Sequence, residues 1–427
     1  MRIYKNPKKE TWKELCQRPE FELEFLESAI NNILTRVKNS GDRALIQLTE
    51  QFDQVKVSQI EVSQQELVTA ENQLSSELKK AINIAASNIE KFHAAQRREL
   101  VTIETMPGVM CWRKGVGIEK VGIYIPGGTA PLFSTVLMLG IPAKLAGCKQ
   151  VVLCSPPGKD GLIQPVILFA AKLVGATRVF KVGGAQAIAA LAYGTESIPA
   201  VNKIFGPGNQ YVTKAKQLVN LQGTAIDIPA GPSEVLVVAD QYADPAFVVA
   251  DLLSQAEHGC DSQVVLVTQD ESMIEKIQEE ITTQIARLPR KEVAQQALAH
   301  SLVILLSTEE EVAEFVNEYA PEHLILNTRN CDSMSEKIYN AGSVFLGPYS
   351  PESAGDYASG TNHTLPTNGF AKSYGGVSLE SFLKYITFQK ITEQGIKELG
   401  PIVEIMAAAE QLDGHKESIS VRLRTIK

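Results

Sequence analysis

Apolar residues recur at helical spacing through the N-terminal part of the chain, from about residue 20 to about residue 100. Two runs carry this pattern: Phe25, Leu26, Ala29, Ile30, Ile33 and Leu34 in the first, and Leu78, Ala81, Ile82, Ile84, Ala85 and Ile89 in the second. The spacing predicts an N-terminal helical region.

Beyond residue 118 the pattern changes to short apolar runs, each followed by a turn rich in glycine or proline and then by a helical segment. The first set of runs covers residues 121–125, 151–154, 178–182 and 203–205, and the second covers 234–239, 263–267, 302–306, 323–326 and 343–346. Alternating strands and helices are typical of parallel α/β sheets. The sequence therefore predicts an α/β protein with two halves that meet near residues 230–240.

A polar, glycine-rich passage runs from about residue 348 to Gly376, and we expect helices from there to the end of the chain. A structureless segment of about 30 residues inside a compact protein is usually an active-site loop or a linker. The presence of Asp356, His363 and Lys372 in this passage favours an active-site loop.

Composition narrows the class of protein. Of the 427 residues, 44% are hydrophobic and 21% are charged, which is ordinary for a folded protein. A net charge of −8 disfavours nucleic acid as a partner, because phosphate binding needs clustered lysine and arginine. Residues 121–143 are uncharged, but their prolines and glycines argue against a membrane-spanning helix. Six cysteines without a Cys-x-x-Cys pair, and an N-terminus without a signal-peptide core, predict a cytoplasmic protein.

A first candidate site is formed by Gln255 and His258. Asp244 and Pro245 suit the start of a helix and Gly259 suits its end, so we predict a helix from Pro245 to His258. Gln255 and His258 then lie on one face of its last turn, where the helix dipole favours a bound cation. A satisfied surface pair is the alternative that spacing leaves open.

A second candidate is the pair Glu322 and His323, which follows Pro321 at the start of a predicted strand. Adjacent glutamate and histidine side chains can supply one base for a water molecule and another for an alcohol. The alternative, in which Glu322 faces solvent and His323 only packs, is equally compatible with the sequence.

Two further segments carry weaker signals. Asp356 and His363 are seven residues apart in the glycine-rich passage and could face one cavity, although either could form a local turn instead. His415 follows the helical run 403–412 near the C-terminus, where a lone histidine is usually solvated.

The glycine-rich turns that follow the predicted strands are candidate nucleotide-binding sites. Gly206, Gly208 and Asn209 open a helical pattern after a strand, a position that suits phosphate, and Asp227 follows at a distance that resembles the ribose-binding acid of a Rossmann unit. However, the chain contains neither G-x-G-x-x-G nor a Walker lysine motif. Spacing alone does not support an ordinary Rossmann dinucleotide site.

Taken together, these segments resemble the histidinol dehydrogenases, which catalyse the last step of histidine biosynthesis. The resemblance covers nearly the whole chain and rests on residues 124–135, 182–188, 205–209, 227–234, 253–258, 320–323 and 355–376. It implies oxidation of L-histidinol through L-histidinaldehyde to L-histidine, with two NAD molecules used in sequence.

The resemblance also implies roles for individual residues. His323 would be the base for the alcohol, and Glu322 would activate the water that hydrates the aldehyde. One Zn²⁺ per subunit would be held by Gln255, His258, Asp356 and His415, and NAD would contact Tyr124, Gln186 and Asn209. The substrate would contact Ser233, Gln255, His258, His323, Asp356, His363, Glu410 and His415.

The fold implied by the resemblance has two incomplete Rossmann-like parallel-sheet domains and small C-terminal helical segments that cross to the partner subunit of a homodimer. We assign residues 8–103 with 128–234 to the first domain, on the NAD side, and 104–127 with 235–374 to the second, with zinc and the catalytic residues. Residues 381–427 form the helical crossing region. Three alternatives stay open: a dehydrogenase of another amino or hydroxy alcohol, a zinc hydrolase, and a non-catalytic scaffold.

Overall fold

The computed structural model describes residues 1–18, 24–127, 130–228 and 231–426. Gly128, Thr129, Pro229 and Ala230, which belong to two of the motifs above, lie outside the described residues. The first α/β unit contains a five-stranded parallel sheet with the strand order Arg178–Lys181, Gln150–Ser155, Lys120–Tyr124, Lys203–Phe205, Ala225–Ile226.

Helices cover both faces of this sheet. One face packs on Gln64–Gln73, Ser76–Ala94, Phe133–Ala146 and Pro165–Val174, and the other on Glu24–Asp53, Gly184–Tyr193 and Gln210–Asn220. The inner strands therefore bury side chains on both sides, which explains why their sequences are almost continuously apolar. The helix Glu24–Asp53 bends sharply at Gly41, whose φ of 47° lies in the left-handed region.

The second α/β unit is built in the same way around a six-stranded parallel sheet. Its strand order is Arg2–Lys5, Leu302–Leu305, Gln263–Thr268, Glu234–Ala239, His323–Asn327, Ser343–Leu346. One face packs on the helices Pro245–Ala256, Glu271–Ile285 and Lys291–Ala299, and the other on Trp12–Leu15, Glu309–Tyr319 and Cys331–Ser335.

A small antiparallel sheet and two helices complete the described chain. The sheet has the order Leu383–Ile391, Val109–Gly117, Thr102–Met106, and the helices are Glu393–Ala409 and Asp413–Thr425. The short helix Glu352–Tyr357 and the 3₁₀ turns Lys9–Thr11, Phe370–Lys372 and Leu379–Phe382 lie in the connections. Within the described ranges, no helix is long and apolar enough to cross a membrane.

The predicted α/β class and all of the predicted strands are confirmed, each to within one residue at either end. The expectation of helices only after Gly376 was wrong, because Leu383–Ile391 is a strand whose side chains are largely exposed and carry little apolar alternation. The predicted helix from Pro245 to His258 ends two residues early, at Ala256.

The passage 348–376 also differs from the prediction, since Asp356 lies on the helix Glu352–Tyr357 and not in a structureless loop. One part of the domain division disagrees with the sheet topology. Lys120–Tyr124, assigned above to the second domain, is the central strand of the first sheet, where it pairs with Gln150–Ser155 and Lys203–Phe205. The division as a whole stays a prediction.

Candidate active site

Glu322 and His323 lie at the amino end of the strand His323–Asn327, in the second sheet. The preceding helix, Glu309–Tyr319, ends at Ala320, whose φ of 52° is in the left-handed region. Pro321 then prevents the helix from continuing. This tight connection turns both side chains into the protein, so that Glu322 is 5% exposed and His323 is 3% exposed. The alternative of a solvent-facing Glu322 is therefore excluded.

Glu234, the first residue of the neighbouring strand Glu234–Ala239, holds Glu322 in place. The Glu234 backbone N–H donates to Glu322 Oε2 at 2.9 Å, and the Glu322 backbone N–H donates to Glu234 Oε1 at 3.3 Å. Two buried carboxyl groups this close would repel each other. Arg18 supplies the compensating charge, because its Nε donates to Glu234 Oε2 at 2.7 Å and its Nη2 donates to Glu234 Oε1 at 3.0 Å.

Arg18 is itself fixed by the protein. Its guanidinium donates to the carbonyl oxygens of Cys16 and Tyr319 at 2.7 and 2.6 Å, and it lies over the Tyr319 ring at 3.7 Å. Such a bidentate pair, with its remaining donors satisfied, is the geometry in which a buried ion pair is tolerated. The N-terminal segment thereby becomes a structural part of the site.

Both ring nitrogens of His323 lie close to oxygen atoms that orient the imidazole. Its Nδ1 lies 3.3 Å from the Glu234 carbonyl oxygen and 3.6 Å from Glu322 Oε2, while its Nε2 lies 3.4 Å from Asp356 Oδ1. A proton on Nδ1 satisfies the carbonyl acceptor and leaves Nε2 as the basic nitrogen. Neither Nε2 nor Asp356 Oδ1 has a hydrogen-bond partner of acceptable geometry among the described residues.

Charge and burial act on these groups together. Burial raises the pKa of the Glu322 carboxyl, although the neighbouring His323 and the Glu234 N–H oppose the shift. Burial by itself would lower the pKa of His323, but the negative charges of Glu352 and Glu322 and the contact with Asp356 raise it well above its ordinary value. A cation bound beside Asp356 would reverse part of that effect, because it would offset the carboxylates.

A group of metal-binding side chains adjoins His323. One ligand atom each from His258, Glu352 and Asp356 lies within 4.8 Å of the others. Glu352 and Asp356 are four residues apart on the helix Glu352–Tyr357 and so share one face. Glu352 is buried, and its Oε2 has no partner among the described residues. Glu352 was not predicted, because its four-residue spacing from Asp356 is a signal only on a helix and no helix was expected in this passage.

Gln255 completes the buried wall of this group. It lies on the helix Pro245–Ala256, which packs against Glu352–Tyr357, and both of its side-chain amide atoms are buried without a partner in the described part of the chain. Buried polar groups normally have partners, so several unpartnered oxygen and nitrogen atoms in one place indicate a missing ligand. A mixed N/O donor set suits zinc and also other divalent ions.

His363 joins this group to the first α/β unit. Its Nδ1 lies 2.9 Å from the Asp356 carbonyl oxygen, and its Nε2 lies 3.0 Å from the Oγ1 of Thr135, near the start of the helix Phe133–Ala146. His363 thus contacts the backbone of Asp356, and that both side chains face one cavity stays a prediction. Ser233 precedes Glu234 at the same strand end.

His415 and Glu410 are not brought to this group. Both are exposed, His415 in the first turn of the helix Asp413–Thr425 and Glu410 at the end of Glu393–Ala409. Across the described residues, no hydrogen bond or ion pair joins either side chain to His258, Asp356 or His323.

A cavity of about 790 Å³ lies at the carboxyl ends of the first sheet's strands. Tyr124, Gln186 and Asn209, the predicted NAD contacts, all line it. The Tyr124 hydroxyl accepts from the Gly184 N–H at 3.0 Å, and the Asn209 side chain caps the helix Gln210–Asn220. The volume is within the range of roughly 300–1,000 Å³ that is usual for small-molecule sites.

Comparisons with known proteins show the family to which the chain belongs. The sequence profile of the family described as histidinol dehydrogenase matches residues 16–423. The chain belongs to the histidinol dehydrogenase family. It is 57% identical over 427 residues to a histidinol dehydrogenase of Bacteroides thetaiotaomicron, covering 100% of both chains. It is 51% identical over 421 residues to that of Pectobacterium atrosepticum, covering 98% of this chain and 94% of the relative.

A solved member of the family has the same fold. The crystal structure of histidinol dehydrogenase from Elizabethkingia anophelis superposes with a TM-score of 0.98 at 55% identity, covering 100% of this chain and 98% of that one. These matches confirm the family resemblance inferred from the motifs. Members of this family are oxidoreductases. The roles of individual site residues stay predictions.

Proposed function

We propose that this protein oxidises L-histidinol through L-histidinaldehyde to L-histidine, using two NAD molecules in sequence. The observation that carries the proposal is the contact between a buried Glu322–His323 pair and a buried group of unpartnered metal-binding atoms, in a chain 57% identical to a histidinol dehydrogenase. The cavity of the first α/β unit provides room for a dinucleotide.

One Zn²⁺ per subunit would be held by Gln255, His258 and Asp356, with His415 of the partner subunit as the remaining protein ligand. The unpartnered amide of Gln255 and the unpartnered Asp356 Oδ1 fit this assignment. When bound, zinc supplies a positive charge that anchors the polar groups of the substrate. Glu352 would add negative charge next to the ion.

His323 would act as the base for the alcohol. With a cation bound beside Asp356 and the imidazole neutral, a proton on Nδ1 would be directed to the Glu234 carbonyl oxygen, and Nε2 would be free to take the hydroxyl proton of a substrate. NAD, when bound, would supply the acceptor for the hydride that leaves the hydroxyl-bearing carbon atom of the substrate. In the second oxidation His323 would take a proton from the aldehyde hydrate in the same way.

Glu322 would activate the water that converts the bound aldehyde to its hydrate. Its Oε2 is fixed by the Glu234 N–H, which leaves Oε1 to accept a hydrogen bond from a water molecule. Burial raises the pKa of this carboxyl, and a raised pKa makes the group a better base than an exposed glutamate. Ser233 and His363 would add polar contacts to the substrate.

The C-terminal helices would complete the site of a partner subunit. Glu393–Ala409 and Asp413–Thr425 pack mainly on each other, and they leave large apolar side chains exposed, including Ile405 at 71% and Met406 at 60%. A monomer gains nothing from such exposure, whereas a homodimer would bury it. Crossing to the partner would bring His415 to its metal ligands and Glu410 to its substrate. We place the enzyme in the cytoplasm, where its six cysteines would stay reduced.

The experiment that tests the proposal is NADH formation by the purified full chain with L-histidinol, with and without a metal chelator. We expect NADH formation that the chelator abolishes and added Zn²⁺ restores, and little turnover of ethanol or glycerol. Turnover of simple alcohols but not of histidinol would contradict the substrate assignment. Ester or amide hydrolysis without any NADH would contradict the reaction itself.

A further inference from the structure

An acidic side chain stands in the wall of the large cavity without a partner. Asp53 is the last residue of the helix Glu24–Asp53 and lines the cavity together with Tyr124, Gln186 and Asn209. Its Oδ2 atom is buried, and no described atom forms a hydrogen bond with it. Burial raises the pKa of Asp53 to about 6. An acceptor oxygen in this state costs free energy that a bound donor would recover.

Asp227, the acid that spacing suggested for a ribose, is committed elsewhere. Its Oδ2 accepts from the Gly206 N–H at 2.8 Å, its Oδ1 forms an ion pair with Lys216, and its side chain is 1% exposed. It is not among the residues that line the cavity. Asp227 therefore fixes the turn before Asn209, and the acid that faces the cavity comes from a different part of the chain.

The surroundings of Asp53 suit the adenosine end of a dinucleotide. Phe52, Ala29 and Ile33 from the same helix line the cavity and give it an apolar wall that an adenine base can pack on. Lys159, on another segment of the wall, has the charge that a pyrophosphate needs.

A different part of the wall is connected to the catalytic group through one helix. Ala130 and Pro131 line the cavity just before the helix Phe133–Ala146, and Thr135 of that helix contacts His363. The reacting ring of a bound dinucleotide must approach His323, so it enters past Ala130 and Pro131. Asp53, on a different helix of the cavity wall, would then lie beside the adenosine half of the dinucleotide.

We propose that Asp53 binds the 2′- and 3′-hydroxyl groups of the adenosine ribose of NAD and thereby selects NAD over NADP. The inference rests on the proposed function in that it takes NAD as the dinucleotide. A carboxylate can accept both hydroxyl protons of a ribose diol. It repels the 2′-phosphate of NADP, which also lacks the free 2′-hydroxyl.

The test is calorimetric titration of NAD and of NADP into the full-length protein, for the wild type and for Asp53→Asn and Asp53→Ser. We expect the wild type to bind NAD more tightly than NADP. Each substitution should weaken NAD binding about tenfold and strengthen NADP binding, so that the preference falls by at least about tenfold. With histidinol, the KM for NAD should rise while the KM for histidinol stays the same.

A matched control is Glu50→Gln, which removes an exposed acid one turn earlier on the same helix and outside the cavity wall. It should change neither affinity. Unchanged NAD affinity and unchanged preference in both Asp53 variants, with cooperative melting at or above the wild-type temperature, would overturn the assignment. If the wild type forms NADH with histidinol but the Asp53 variants behave like it, only this inference fails. If the wild type binds no dinucleotide, the proposed function fails as well.

Discussion

Glu234, the first residue of its strand, and Glu322, which immediately precedes the neighbouring parallel strand, exchange two hydrogen bonds in which the backbone N–H of each donates to the carboxylate of the other, at 2.9 and 3.3 Å. This arrangement fixes the predicted water-activating carboxylate without using a neighbouring cation directly. The nearby cation, Arg18, forms its ion pair with Glu234 and not with Glu322. Glu322 thus keeps the raised pKa of a buried acid while its position is set.

The first prediction concerns that ion pair. Glu234→Gln keeps the shape of the side chain but leaves Arg18 buried without a negative partner, so the free energy of unfolding should fall by about 3–5 kcal/mol. Urea unfolding monitored by circular dichroism measures this change. Glu119→Gln, which breaks the exposed pair with Lys149, is the control and should cost no more than about 1 kcal/mol. Equal costs for the two substitutions would show that the Arg18 contact is energetically unimportant.

A second prediction separates the two halves of the reaction. Glu322→Gln should leave the oxidation of histidinol to the aldehyde close to the wild-type rate, because His323 is still present as the base. Hydration of the aldehyde should slow by about a hundredfold or more, since a positioned base contributes that much. Rapid-quench analysis of aldehyde and histidine after a single turnover measures both steps. An equal loss in both steps would be inconsistent with the division of labour between Glu322 and His323.

A third prediction concerns the metal. Asp356→Asn should abolish tight Zn²⁺ binding, whereas Glu352→Gln should weaken it about tenfold, because Glu352 contributes charge beside the proposed ligands. Calorimetric titration of Zn²⁺ into chelator-treated protein measures both affinities. Glu257→Gln alters an acid next to His258 in the chain but outside the group, and should have no effect. Zinc affinity that survives Asp356→Asn would rule out the assigned ligand set.

A fourth prediction links Asp53 to stability. Its pKa is raised from 3.8 to about 6 in the folded protein, so the folded state is penalised for the ionised form. The penalty is absent below pH 3.8, grows as the pH rises and is complete above about pH 6. Asp53→Asn should therefore stabilise the protein by about 1 kcal/mol at about pH 8, a figure reduced for partial exposure of the side chain, and by nothing below that window. Denaturant unfolding of the wild type and of Asp53→Asn, at about pH 8 and below pH 3.8, measures the difference in the free energy of unfolding. A difference of the same size at both pH values would contradict the prediction.

The fold was largely predictable because strands that are buried on both faces consist of nearly continuous apolar residues, as in residues 234–239 and 263–267. Exposed strands such as Leu383–Ile391 lack that signal and were missed. Within the site, Glu322 and His323 could be predicted as candidate catalytic residues because they follow Pro321 at the start of a predicted strand. Arg18 could not, since its contact with Glu234 joins residues that are 216 positions apart and leaves no local pattern.

Spacing alone could not identify a ribose-binding acid. Asp227 stands at a suggestive distance from Gly208, yet Lys216 and the Gly206 N–H occupy its carboxylate, and Asp53 faces the cavity instead. Which acid is free depends on the partners that the fold brings to each, and these are determined by tertiary packing. Glu352 was missed for the opposite reason, because its four-residue spacing from Asp356 is visible only once a helix is assigned there.

The central claim is that one site carries histidinol through both oxidations. The most direct measurement is the amount of NADH formed for each L-histidinol consumed by the zinc-loaded full chain, with the product identified by chromatography. The account predicts two NADH for each histidinol, with L-histidine as the product. One NADH for each histidinol with the aldehyde accumulating, or no NADH at all, would contradict it.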